Sequence, residues 1–150
     1  MATNTLLQSL NDSANQATTG SSNRRQVETF IASSAIAAND LVALDIGTSN
    51  DSDKALYIVK ANRATPALKA SIGFALDAAA AAGDLVRVTI AGVHESANVH
   101  AAVVVGSSLM SSGVAGQAEV FTGSENVPMI AYACDIAVAN VATVIVIKQI

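Results

Sequence analysis

The chain has no tryptophan, two tyrosines, three phenylalanines, two prolines and one cysteine in 150 residues. A lone Cys134 excludes an internal disulfide and reads as a small buried hydrophobe in a protein made in a reducing compartment. Charged residues make up only 13% of the chain against 51% hydrophobic ones, which excludes global disorder. With aromatics at 3%, the apolar mass is mostly Ala and Val. Small side chains bury little area each, so stability has to come from many thin contacts at about 25 cal/mol per Å². That favours sheets and closely spaced backbones. The formal net charge of −4 speaks against a nucleic-acid groove, which carries a basic stripe. No apolar run reaches the roughly 18–20 residues that span a bilayer. The opening MATNTLLQSLNDSANQ lacks the basic start of a signal peptide. The expectation is a soluble, cytoplasmically made protein of one domain plus a tail, with neither nucleic acid nor membrane as partner.

Residues 1–25 differ from the rest. Fourteen of them are Ser, Thr, Asn or Gln, a composition that buries too little apolar surface to fold alone. Leu6, Leu7, Leu10 and Ala14 are spaced as one face of a short helix. The segment is expected to be a flexible arm that orders when it docks, with the basic doublet Arg24-Arg25 at its joint.

From Gln26 onward the pattern is β. Strands are expected at Gln26–Ile31, Leu41–Ile46, Ala55–Lys60, Leu68–Leu76, Leu85–Ile90, 100–105, Ala118–Phe121, Met129–Ala133 and Thr143–Lys148. In Leu85–Ile90, Val86, Val88 and Ile90 point one way and Arg87 and Thr89 the other, with Gly92 as the stop. Ser107–Gly116 reads as a Gly/Ser loop. The alanine run 78–82 is too short to stand alone as a helix and reads as one helical turn or a tight corner, ended by Gly83. Many short strands between turn-rich intervals predict a mainly β domain over residues 26–150, a small barrel or sandwich.

An internal repeat supports this. A shift of 58 positions aligns Ile72–Ile90 with Ile130–Lys148, with seven of nineteen residues identical, among them Asp77 and Asp135. A shorter echo sets Ile36–Leu44 against Ala80–Val88, which matches Asp40 with Asp84. The common unit is a strand, an Asp, a corner of small residues and a second strand. An Asp at such a corner accepts hydrogen bonds from N–H groups that the turn leaves unpaired. Asp77, Asp84 and Asp135 are therefore expected to cap turns rather than to form an acid/base pair.

Catalytic patterns are missing. His94-Glu95 resembles the start of a zinc-protease helix, but the second histidine, His100, comes six positions later instead of four, on the opposite helical face. Both histidines are expected at exposed loops or strand edges. No phosphate loop or nucleophile elbow is present. The expectation is no enzyme, no metal and no cofactor.

The stretch Ile72-Gly-Phe-Ala-Leu-Asp-Ala-Ala-Ala-Ala-Ala-Gly-Asp-Leu-Val-Arg-Val-Thr-Ile-Ala-Gly-Val93 resembles the signature of tailed-phage capsid decoration proteins, also called cement or head-stabilising proteins. Ala37–Leu44 and Ile130–Asp135 are similar to that family too, so the resemblance covers about residues 26–150. Asn140-Val141-Ala142 departs from it, standing where Gly-Asp is expected. The resemblance implies a β-barrel or β-tulip domain that trimerises on the outer capsid surface of the virion and staples neighbouring major capsid subunits. Its N-terminal arm, here Leu6, Leu7, Leu10, Arg24 and Arg25, would make part of that contact. A different class is a receptor- or glycan-binding head or tail appendage, with His94–Val99 and Ser107–Gln117 as candidate loops.

Overall fold

The computed structural model describes residues 25–47, 56–65, 70–123 and 126–149. Nine strands are formed among them: β1 (Gln26–Ala32), β2 (Leu41–Leu44), β3 (Tyr57–Lys60), β4 (Ser71–Ala75), β5 (Leu85–Asn98), β6 (Ser108–Ser111), β7 (Ala118–Val120), β8 (Ala131–Ala133) and β9 (Val141–Val146). The mainly β expectation holds. Strands β1, β3, β2, β4 and β5 close on themselves, because β1 pairs with β3 in parallel and with β5 in antiparallel. The result is a five-stranded mixed barrel without a free edge strand. The far half of β5 leaves the barrel and starts a second sheet in the order β5-β9-β8-β6-β7.

Two cores follow from strand alternation. Val42, Ile58, Ile72, Val86, Val88 and Ile90 fill the barrel, as the alternation in Leu85–Ile90 requires. Leu41, Ala43 and Phe74 belong to the other core, with Leu109, Ile130, Val144 and Val146 of the second sheet. β2 and β4 are thus covered on both faces, and all five residues of β4 are buried. Small residues are what permit this. A Cβ on Gly73 would stand 2.0 Å from the Thr89 carbonyl oxygen of β5.

Three strand expectations are corrected. Gly92 does not stop β5, which runs fourteen residues to Asn98. With φ at +87° it bends the strand where the partner changes from β1, through Ala91, to β9, through Gly92 itself. Residues 100–105 form turns rather than a strand, because only Val103 finds a core while Val104 and Val105 stay exposed. The expected Gly/Ser loop holds β6 instead, with Leu109 and Met110 fully buried.

The repeat is present, with a different register after its corner. Ala75 pairs with Val88 and Ala133 with Val144. Leu76 N–H donates to the Arg87 carbonyl, and Cys134 N–H likewise to that of Thr143. Arg87 therefore corresponds to Thr143, not to residue 145, and the second corner is two residues shorter. Val138 and Val141 bond each other both ways around Ala139-Asn140, whose φ values are +51° and +63°. This two-residue turn explains the departure at Asn140-Val141-Ala142. A slip of two leaves every side chain on the same face, so the apolar pattern matches in either register.

Candidate functional site

The expected turn residues sit at three corners. Asp77 accepts the Arg87 N–H at 3.2 Å and the Arg87 side chain through Nε at 2.8 Å and Nη2 at 2.7 Å. The Arg87 guanidinium lowers the Asp77 pKa, and Arg87 is raised in turn. Asp135 accepts the Thr143 N–H at 2.7 Å. Asp84 accepts from the N–H groups of Ala80 and Ala81 at 2.8 and 3.0 Å. Gly83, with φ at +95°, donates its own N–H to the Ala32 carbonyl. Each carboxylate serves its own turn. Of the arm residues, Arg25 directly precedes β1, while Leu6, Leu7, Leu10 and Arg24 lie outside the described residues. Among the described residues no cluster of His, Cys, Asp or Glu is placed to hold a metal ion.

A buried polar joint between barrel and second sheet lies outside that set of expectations. The Asp40 carboxylate accepts the Ala37 N–H at 2.9 Å and the Asn98 amide at 3.1 Å, and pairs with Lys60 at 3.0 Å. Gln117 donates to the Val99 carbonyl beside it at 3.3 Å. The backbone of the same turn ties three elements together. Asn39 N–H reaches the Ala75 carbonyl, Asn98 N–H reaches the Asn39 carbonyl, and Leu41 N–H reaches the Gly116 carbonyl of the β6–β7 hairpin. Arg63 and Glu119 add an ion pair at 2.6 Å. The echo between Asp40 and Asp84 was the available signal in the sequence.

His94 belongs to this joint and is not at an exposed edge. It is 1% exposed, stacked on Phe74, with Nε2 at 3.1 Å from Asn39 Oδ1 and Nδ1 at 3.1 Å from Thr89 Oγ1. An amide oxygen only accepts, so Nε2 carries the proton and Nδ1 accepts from the Thr89 hydroxyl. Burial, then the charge of Arg25, pushes its pKa down to about 4 against a smaller opposing pull from Glu95. Cys134 is also corrected: it is free and exposed, because Ala131 and Ala133 take the inward positions of β8 and Cys134, just past the strand, falls in the outward position like Tyr132. Partial burial and the Asp135 carboxylate raise its thiol pKa.

Solvent-facing apolar side chains gather on the outer face of the second sheet, where Tyr132 and Ile145 are cross-strand partners and both are more than 40% exposed. Among solved structures, the crystal structure of the head fiber gp8.5 N base in bacteriophage phi29 matches 82% of this chain and 94% of its own, with a TM-score of 0.57 and 20% identity. The fold is shared with a phage head-fiber base. At that identity the likeness speaks for architecture, and it covers nearly the whole of the fiber base. No protein-family model matches the chain, and no curated protein does. Of the two appendage loops named from sequence, His94–Asn98 lies within β5, while Ser107–Gln117 holds β6 and the turn that links it to β7.

Proposed function

We propose that this chain is a structural virion protein that seats on the outer surface of a tailed-phage capsid and cements neighbouring major capsid subunits. The observation that carries the reading is the fold likeness to a phage head-fiber base over nearly that whole domain. The decoration-family resemblance of Ile72–Val93, found independently in the sequence, points the same way. A closed barrel with corners tied by Asp77, Asp84 and Asp135 suits a rigid clamp whose value lies in the surfaces it holds. In this reading residues 1–25 form an arm distinct from the 26–150 domain, and Leu6, Leu7, Leu10, Arg24 and Arg25 contact the shell. The working unit is a homotrimer, and neither a cofactor nor catalysis is involved. Cementing acts by mass action, since a partner that binds only the assembled shell stabilises it by its binding free energy, repeated over many copies.

Mixing the purified chain with empty expanded capsids of its own phage tests this. The expected result is saturable binding at a stoichiometry near that of the major capsid protein. No binding to expanded capsids overturns the reading. The likeness to a fiber base also favours a second reading, an appendage that recognises a host receptor or glycan. A few copies per particle together with binding to host cells would support that reading instead.

A further inference from the structure

The outer face of the second sheet presents an apolar row. Val93 of β5 pairs with Ile145 of β9, and Ile145 pairs with Tyr132 of β8, so the three are successive cross-strand neighbours. Ile145 is 45% and Tyr132 43% exposed, and Val141 on the same face of β9 is 42% exposed. None of these residues is charged. Contiguous exposed apolar surface of this kind marks a docking site.

The residues that precede β1 start beside this row. Gln26 pairs with Ala91, and the next residue of β5, Gly92, pairs with Val146. The chain therefore enters β1 within two strand spacings, about 10 Å, of the end of β9. Arg25 is close enough to His94, the partner of Val144, for its charge to act on the imidazole. The polar stretch 15–24 alone reaches about 33 Å when extended, and the three leucines of the preceding segment are Leu6, Leu7 and Leu10. A second copy has to compete from free solution at its own concentration. A covalent tether of this length would hold the leucines at an effective concentration on the order of millimolar.

We propose that Leu6, Leu7 and Leu10 pack on the Val93–Ile145–Tyr132 row of the chain's own second sheet in the free protein. This goes beyond the capsid reading and does not depend on it. If both hold, the leucines are parked on the sheet before any shell is met, and docking on the shell releases them.

Cys134 is a built-in reporter, being the single thiol, exposed and two residues past Tyr132. The full-length protein and its full-length L6S/L7S/L10S variant are reacted with a thiol reagent at two protein concentrations. The expected result is a Cys134 rate about five-fold slower in the unsubstituted chain at both concentrations, with the protection lost in the variant. As a second measurement, full-length Leu7→Cys should form an intrachain disulfide with Cys134 under mild oxidation. Equal thiol rates without that crosslink overturn the proposal. Protection that grows with protein concentration and survives in L6S/L7S/L10S also overturns it, and assigns the row to a second copy. Capsid binding is measured separately, so failure here is distinguishable from failure of the capsid reading.

Discussion

Asp40 and Lys60 meet at 3.0 Å with the carboxylate almost fully buried and the ammonium still partly in water. The same carboxylate closes the turn through Ala37 and holds the Asn98 amide of β5. Asp40→Ala therefore removes a cap, an ion pair and a tie between barrel and second sheet together. The expected cost is about 3 kcal/mol, the scale for breaking a buried pair from one side. Lys60→Met should cost less, because Asp40 keeps the Ala37 and Asn98 donors. Urea unfolding of both variants checks the order, and equal losses would contradict it.

His94 makes stability depend on pH. Its folded pKa, near 4, lies below the unfolded value of 6.5, so folding favours the neutral ring. The contribution is fully present above pH 6.5 and is lost as the pH falls through the folded pKa. The shift corresponds to about 3 kcal/mol at full loss. The cause is burial of the ring first and then the charge of Arg25; a proton on Nδ1 would also turn the acceptor of the Thr89 hydroxyl into a second donor. His94→Gln should unfold at urea concentrations that change less between pH 6.5 and 4.5 than those of the unsubstituted chain. Carboxylates titrate in both proteins, so the difference between the two profiles isolates His94.

Much of the architecture was legible because strand alternation is local. Val86, Val88 and Ile90 read as one face of a strand and fill the barrel. The Asp77 and Asp135 corners were visible as a repeat, but the two-residue difference between them was hidden, since a slip of two preserves the inward and outward pattern. Gly92 read as a stop because its role as a bend depends on β1 and β9 sharing β5 end to end. The joint was the least legible part. His94 finds Asn39 at a separation of 55 residues and Asp40 finds Asn98 at 58, and no local pattern encodes either contact. Nothing in the sequence marked Tyr132 and Ile145 as exposed, for the opposite reason: an apolar residue on a strand does not announce that its face lacks a second layer.

The two matched corners predict matched effects of unequal size. Asp135→Ala removes one acceptor of a backbone N–H and should cost about 1 kcal/mol, as for a lost cap. Asp77→Ala removes the equivalent acceptor and also frees the Arg87 side chain, so its cost should be equal or somewhat larger. Asp135→Asn keeps an acceptor oxygen and should recover most of the loss. Thermal unfolding at neutral pH compares the three variants, and no loss in either alanine variant would end the capping proposal.

Ala139 is held in the left-handed region at φ +51°, next to Asn140 at +63°. Both residues of this type of hairpin turn need positive φ, which Asn tolerates and Ala does not. Left-handed geometry costs an L-residue with a Cβ roughly 1–2 kcal/mol, part of which glycine forfeits through a more flexible unfolded chain. Ala139→Gly should therefore stabilise the protein, by about 0.5–1 kcal/mol. Gly83 is an internal reference, since the corresponding corner already places glycine at its positive-φ position. Gly83→Ala should destabilise by a similar amount, although a Cβ there meets no atom within 4 Å. Paired urea titrations of the two variants test the idea. Opposite signs support conformational strain as the cause, whereas a loss in Ala139→Gly would show that the Ala139 methyl contributes packing that outweighs it.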